Sequence, residues 1–237
     1  MKQLCAGLLL LGAAALGSGR EPAFAQDFAA ILAAPDRPDA ERELDPVRKP
    51  AEVLKFYGVK PGDKVADLMA ARGYYTVILA RAVGGGGVVY SVVPSARKEL
   101  TERLKSPDYA HVKIVEAKMD AFELPANTLD FALIHLNYHD LDPATRMGMN
   151  KKVYAALKPG GVYGVVDHSA KEGSGEEVTK SLHRIDKAVV IEEVTQAGFA
   201  STKEGNVLRN PEDTFDFSTT KVRGKSDRFV LRFEKPR

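Results

Sequence analysis

Histidines and aspartates capable of acid–base chemistry follow two apolar runs of the sequence. Tyr138, His139 and Asp140 come directly after one run, and Asp167 and His168 end the other. Imidazole has an ordinary pKa near neutrality, so either histidine could act as a base toward an acceptor hydroxyl or amine, with a neighbouring carboxylate orienting the ring. Four of the five histidines lie in these segments or in the stretches that lead to them. They are His135, His139, His168 and His183.

Two other interpretations of these residues stay open. They could be ordinary loop residues that cap helices and bond to one another, and for each residue alone this is at least as good an explanation. Their nitrogen and oxygen atoms would also suit zinc, iron or manganese. No closely spaced metal motif such as H-E-x-x-H occurs, so a metal-assisted enzyme ranks lower and no metal ligands are assigned. The grouping favours a site, which His183 and Arg184 could join.

The elements that would position these residues alternate between strand and helix. Apolar runs predict strands at 65–68, 88–93, 112–115, 129–136, 162–166, 199–204 and 229–233. Helices are predicted from Pro50 to Tyr57, through 77–83, from a Ser95 cap to Leu104, from an Asp142 cap to Leu157 and after Asp186. Ligands of open parallel sheets bind beyond the carboxyl ends of the strands, which is where the His and Asp pairs lie.

The segment 65–83 resembles the first motif of class I S-adenosylmethionine-dependent methyltransferases, an acidic residue followed by three glycines at alternate positions. Asp67 and Gly73 match its first and last members, while Met69 and Ala71 stand where glycine is usual. Those glycines allow the backbone to approach the cofactor closely, so ligand binding requires the turn to leave room despite the Met69 side chain.

Later segments extend the resemblance. Asp120 and Ala121 match the loop that holds the adenine ring, and Lys158-Pro159-Gly160-Gly161 matches the turn before the fifth strand. Val93 stands where relatives carry the acid that accepts bonds from the ribose hydroxyls; losing it should cost one or two good hydrogen bonds. The segments that end the fourth strand, the fifth strand and the chain resemble those of an exported bacterial branch of methyltransferase-like proteins. They are residues 137–141, 158–168 and 223–233.

The resemblance implies a Rossmann-like α/β fold with a mostly parallel seven-stranded sheet in the order 3-2-1-4-5-7-6, S-adenosylmethionine as cofactor and a small-molecule acceptor. Alternatives are a ligand-binding protein that has lost turnover and the metal-assisted enzyme. The implied catalytic residues are His139, Asp140, Tyr138, Asp167 and His168. The implied cofactor-binding residues are Asp67, Met69, Ala71, Gly73, Tyr74, Thr76, Val93, Asp120, Ala121 and Asn137.

Composition and the N-terminus define the compartment that we expect. Net charge of +2 without a dense basic cluster argues against a nucleic-acid surface. Lys2, the apolar run from Leu4 to Leu16 and the A-x-A site ending at Ala25 predict a cleavable signal peptide at 1–25 and a periplasmic or secreted protein without stable membrane association. An arm at 26–48, docked loosely over 26–38, and one methyltransferase-like domain at 49–237 would follow; oligomeric state is open.

Overall fold

The computed structural model describes residues 26–237. The predicted signal peptide, residues 1–25, lies outside the described part. The strands are β1 (Lys64–Leu68), β2 (Val88–Val93), β3 (Val112–Glu116), β4 (Leu129–His135), β5 (Leu157–His168), β6 (Ala200–Gly205) and β7 (Arg228–Glu234). The helices are α1 (Phe28–Leu32), α2 (Asp39–Arg42), α3 (Asp45–Arg48), α4 (Pro50–Tyr57), α5 (Tyr74–Val83), α6 (Lys98–Arg103), α7 (Pro143–Ala156), α8 (Thr179–Leu182) and α9 (Lys187–Gln196).

One seven-stranded sheet has the order β3-β2-β1-β4-β5-β7-β6, so the predicted fold class and strand order are confirmed. The first five strands pair in parallel, and β7 runs antiparallel between β5 and β6. Asp67 is level with Leu133 of β4, and β4 pairs with β5 up to His135 and Val166. The carboxyl ends of β1, β4 and β5 therefore meet at one edge, where ligands of such sheets bind.

Apolar side chains cover both faces of the sheet, and alternate residues of the strands divide between them. Ala66 and Leu68 of β1 pack with α7 and α9, whereas Val65 packs with α1, α4 and α5. Glycine is required where α4 crosses β5, since a Cβ on Gly164 would lie 2.7 Å from a ring atom of Tyr57. The core is thus built from two layers of helices on one central sheet.

Two local predictions are wrong. Ser95 does not cap a helix: α6 begins at Lys98 after an extended Arg97, and no side chain caps it. The arm was predicted to dock loosely, yet Phe28 is buried against the α5 face and Gln26 donates a hydrogen bond to the Ala82 carbonyl oxygen at 2.6 Å.

Within residues 26–237, no helix combines the length and apolar character needed to cross a membrane.

Candidate functional site

The turn after β1 has the backbone of a glycine-rich turn although two of its glycine positions are occupied by other residues. Met69, Ala71 and Gly73 have φ angles of 58°, 52° and 88°. This left-handed region costs an L-residue free energy that glycine does not pay. At Gly73 space also decides, because an added Cβ would lie 2.7 Å from Leu100 Cδ1. The backbone is therefore left-handed at all three motif positions, although only Gly73 is a glycine.

Asp67 lies at the base of this turn, where it is buried. Its Oδ2 accepts a 2.6 Å hydrogen bond from Thr76 Oγ1, which is 3.0 Å from Ser91 Oγ. Burial raises the pKa of Asp67 to about 7, and the Thr76 bonds oppose that shift only in part. The aspartate consequently ties β1, α5 and β2 together beneath the cavity.

A cavity of about 500 Å³, here called the turn cavity, opens above this turn. Ligand sites for small molecules fall in this size range. Met69 contributes to its wall but is partly buried and packs against the core on the α7 and α9 side. The thioether therefore leaves the hollow open, as the cofactor hypothesis requires.

The arm forms one wall of the turn cavity, with Pro38, Ala40, Glu41, Leu44 and Arg48 all lining it. Glu41 accepts a 2.6 Å hydrogen bond from Arg103 of α6, which also lines the cavity. The Arg48 guanidinium carbon lies 4.4 Å from the centre of the Tyr74 ring. Arm and domain thus build the cavity together.

Several buried polar atoms beside the turn cavity have no hydrogen-bond partner among residues 26–237. They are His135 Nε2, the Tyr75 hydroxyl and the Nε and Nη2 atoms of Arg103. Burial first, then the positive charges of Arg48 and Arg228, lower the pKa of His135 well below its ordinary value. The neutral imidazole of His135, and the two nitrogens of Arg103 that Glu41 leaves unbonded, are groups that a polar ligand would satisfy.

Half of the predicted cofactor-binding residues line the turn cavity. These are Asp67, Met69, Ala71, Tyr74 and Asn137. Gly73 and Thr76 belong to the turn and the first turn of α5 but do not line the cavity, and Thr76 bonds to Asp67. Val93 packs with Ala70 and Leu100 in a small apolar cluster. Asp120 and Ala121 are exposed and lie outside the cavity, with Asp120 against Gly148 of α7.

Other residues of the cavity wall were missed at the sequence level. Arg48, Tyr75, Arg97, Glu99 and Arg103 line it although no motif marks them. A sequence pattern predicts that charged residues on short helices are exposed to solvent. Only the packing of the arm and α6 over the turn gives them another role.

His139 and Asp167 form the buried pair at the edge of β4 and β5. His139 Nδ1 lies 2.8 Å from Asp167 Oδ1, and the backbone N–H of His139 donates to Asp167 Oδ2 at 2.8 Å. Asp140 Oδ1 lies 3.2 Å from His139 Nε2 and 3.7 Å from His183 Nδ1. Burial lowers the pKa of His139, but the two carboxylates outweigh it and raise the pKa to about 10. The structure brings His139, Asp140, Asp167 and His183 together at this edge.

Three other residues predicted for this edge have different positions or partners. Tyr138 is fully buried, and its hydroxyl donates to Glu193 at 2.7 Å, so its predicted place on the rim is wrong. Arg184 is buried in an ion pair with Asp213 at 2.7 Å and does not join the rim. His168 Nδ1 bonds to Ser226 Oγ at 2.6 Å, and burial lowers its pKa to about 4. The role of His139 as base stays a prediction.

A second cavity of about 540 Å³, here called the histidine cavity, is lined by His139, Asp140 and His183. Its neighbour is the turn cavity: Asn137 lines the latter and donates to Asp140 Oδ2 at 3.0 Å. The edge of the sheet therefore holds two adjoining hollows. The sheet order 3-2-1-4-5-7-6, with hollows at its carboxyl edge, is that of a Rossmann-like methyltransferase fold.

Comparisons with known proteins agree with this class. Residues 65–161 match a family model described as a methyltransferase domain. A demethylmenaquinone methyltransferase of Anoxybacillus flavithermus is 30% identical over 112 residues, which are 46% of this chain and 46% of that one. The chain thus spans about half the length of the curated relatives it matches.

Solved structures extend the likeness of fold beyond that segment. A SAM-dependent methyltransferase from Aquifex aeolicus is 22% identical, with a TM-score of 0.60 over 83% of this chain and 97% of that one. A phosphoethanolamine N-methyltransferase of Haemonchus contortus in complex with S-adenosylmethionine is 17% identical, with a TM-score of 0.63 over 92% and 62%. The match to a methyltransferase domain supports the resemblance within residues 65–161, and the solved structures share the fold over most of the chain.

Proposed function

We propose that the protein is a methyltransferase that binds S-adenosylmethionine in the turn cavity and methylates a small molecule held in the histidine cavity. One observation carries the proposal: the turn after β1 keeps left-handed φ angles at residues 69, 71 and 73 and encloses an open hollow of about 500 Å³. An ordinary strand-to-helix connection has no need of strained backbone at Met69 and Ala71. The strain is explained if the turn is shaped for a ligand.

The chemistry of the cavity wall fits the cofactor. S-adenosylmethionine carries ribose hydroxyls, an ammonium group and a carboxylate. The guanidinium groups of Arg48 and Arg103 would suit the carboxylate, and the unpaired Nε2 of His135 would bond to a hydroxyl or amine. The exposed carboxylate of Glu99 lines the cavity near the end of β2 and would accept the ribose hydroxyls that Val93 cannot.

When bound, the cofactor supplies an electrophilic methyl group on a sulfonium ion. The protein then has to hold the acceptor atom in line with that methyl group, which is chiefly a matter of positioning. The hydrogen bond from Asn137 to Asp140 joins the walls of the two cavities and would keep donor and acceptor sides in register. The acceptor itself is not identified by these groups.

Isothermal titration with S-adenosylmethionine and with S-adenosylhomocysteine tests the proposal. Ala71 is exposed in the cavity wall, so Ala71→Leu should fill the hollow and weaken binding of both compounds at least tenfold. Ala126→Leu, which puts the same side chain on an exposed loop away from the cavity, should leave binding unchanged. Absence of binding by the unaltered protein at millimolar ligand would refute the proposal and favour a scaffold that has lost the cofactor.

We also propose export, on the pattern of residues 1–25 alone. N-terminal sequencing of the protein recovered from the periplasm of a bacterial host should begin at Gln26. Recovery from the cytoplasm with Met1 or Lys2 first would contradict the proposal.

A further inference from the structure

We propose that His139, Asp140 and His183 bind a divalent transition-metal cation in the histidine cavity. One potential ligand atom from each of these residues lies within 4.8 Å of the other two. Asp140 Oδ1 lies 3.2 Å from His139 Nε2 and 3.7 Å from His183 Nδ1. Ligands about 2.0–2.1 Å from a tetrahedral metal lie roughly 3.3 Å apart, so small side-chain adjustments suffice.

The His139 ring is held in the orientation that a metal ligand needs. Asp167, which is fully buried, occupies the Nδ1 side at 2.8 Å and also accepts the backbone N–H groups of His139 and His168. The Nε2 atom is thereby directed toward Asp140 and the histidine cavity. A carboxylate behind a ligating histidine is the usual outer partner of zinc and related sites, because it fixes the ring and increases its basicity.

The segment that carries His183 is attached to the same edge of the sheet. The N–H of Ile185 donates to the His168 carbonyl oxygen at 3.1 Å, and the N–H of Ala170 donates back to Ile185 at 3.0 Å. His183 itself has a left-handed φ of 54°. The tertiary structure therefore holds this residue where its ring meets Asp140, at a cost in backbone strain.

The charge around the cluster also permits a cation. Asp140 and Asp167 offer two carboxylates to the cluster. Arg146, a nearby cation in the cavity wall, is already paired with Glu193 at 2.7 Å and with Glu176. Lys180 lies on the exposed side of the wall. A divalent ion on His139 Nε2 would replace the proton that now pairs with Asp140 at 3.2 Å, and would leave the ion pairs of Arg146 in place.

Two imidazoles and one carboxylate select for zinc, iron(II), cobalt(II) or manganese(II) over magnesium and calcium. Three protein ligands leave at least one position open toward the cavity, which is the arrangement of metal sites that bind a further ligand. We assign to that position an oxygen atom of the methyl acceptor; this role rests on the proposed function, whereas metal binding does not. With the cation on Nε2, His139 is a metal ligand and not the base.

Titration of the tag-free protein with Co²⁺, followed by its visible absorption and by calorimetry, tests the site without any methyl donor. One equivalent should bind, and Zn²⁺ should displace it. His183→Ala, at a ring that is one-third exposed, and Asp140→Asn should each weaken Co²⁺ binding at least ~100-fold. His111→Ala removes an imidazole before β3, outside the cluster, and should bind cobalt as the unaltered protein does.

Circular dichroism should be unchanged in both site variants, and the binding of S-adenosylmethionine should be unchanged in His183→Ala, whose ring lines only the histidine cavity; this separates a lost ligand from a lost fold. Equal cobalt binding by the unaltered protein and His183→Ala would overturn the assignment, as would the absence of saturable binding at millimolar Co²⁺. Cobalt binding without any binding of S-adenosylmethionine would leave the metal site standing and refute the proposed function instead. The two failures are therefore distinguishable.

Discussion

Replacing Ala71 by glycine should stabilise the protein, although glycine usually has the opposite effect. Ala71 is exposed and has a φ of 52°, a conformation that costs an L-residue about 1–2 kcal/mol. Glycine removes that cost but adds about 0.5–1 kcal/mol of backbone entropy to be lost on folding. The difference predicts that Ala71→Gly raises the free energy of unfolding by about 0.5–1 kcal/mol, measured by urea denaturation at constant m-value.

The neighbouring Ala70 provides the matched control. It has no positive φ, and its methyl group is buried against Val93 and Leu100. Ala70→Gly should therefore lower the free energy of unfolding by about 1–2 kcal/mol, from the added entropy and the lost apolar burial. Glycine lowers the free energy of unfolding through backbone entropy at either position, so an increase at Ala71 can arise only from relief of its left-handed backbone. If both variants were destabilised by similar amounts, the left-handed turn, and the argument for a cofactor-shaped loop that rests on it, would be refuted.

Three further outcomes follow from the core of the site. Because the pKa of Asp67 is raised to about 7 in the folded protein, stability should fall as pH rises from about 4 to 7; Asp67→Asn should abolish that slope and gain up to about 4 kcal/mol at pH 8, measured by denaturation against pH. Gly164→Ala should cost about 1–3 kcal/mol, since its Cβ would meet the Tyr57 ring, whereas Gly86→Ala, with nothing within 4 Å, should stay within about 0.5 kcal/mol; equal melting temperatures would contradict this. Tyr138→Phe should lose about 1–2 kcal/mol of stability through its buried hydroxyl yet leave Co²⁺ and S-adenosylmethionine affinity unchanged, and a selective loss of binding would restore the residue to the site.

Local patterns were sufficient for the framework of the fold. Apolar runs of strand length placed the seven strands, and helix-capping residues such as Asp142 and Asp186 marked where α7 and α9 begin, each accepting a backbone N–H of the first turn. These signals lie within a few residues of the element they specify. Ser95 was misread because a cap must directly precede the first helical turn, and here α6 begins only at Lys98, after an extended Arg97.

The position of a residue at the end of a strand was also predictable, but the direction of its side chain was not. His139 and Tyr138 are adjacent in sequence, yet the His139 ring lies against Asp167 at the edge of the sheet. The Tyr138 ring is buried in the core, and its hydroxyl donates to Glu193 of α9. A short 3₁₀ turn at residues 138–140 sends neighbouring side chains in different directions. The ends of the strands therefore identified the edge of the sheet and most members of the cluster. They did not show which side chains lie at the rim and which are buried in the core.

The composition of the turn cavity depended on contacts between segments far apart in the chain. Arg48 of the arm, Arg103 of α6 and His135 of β4 meet only because the arm packs across the carboxyl edge of the sheet. The same is true of His183, which reaches Asp140 through the bonds that attach residues 183–185 to β5. Sequence periodicity reports burial along one element, whereas a cavity wall is set by the packing of several, so the scaffold could be predicted and the lining could not.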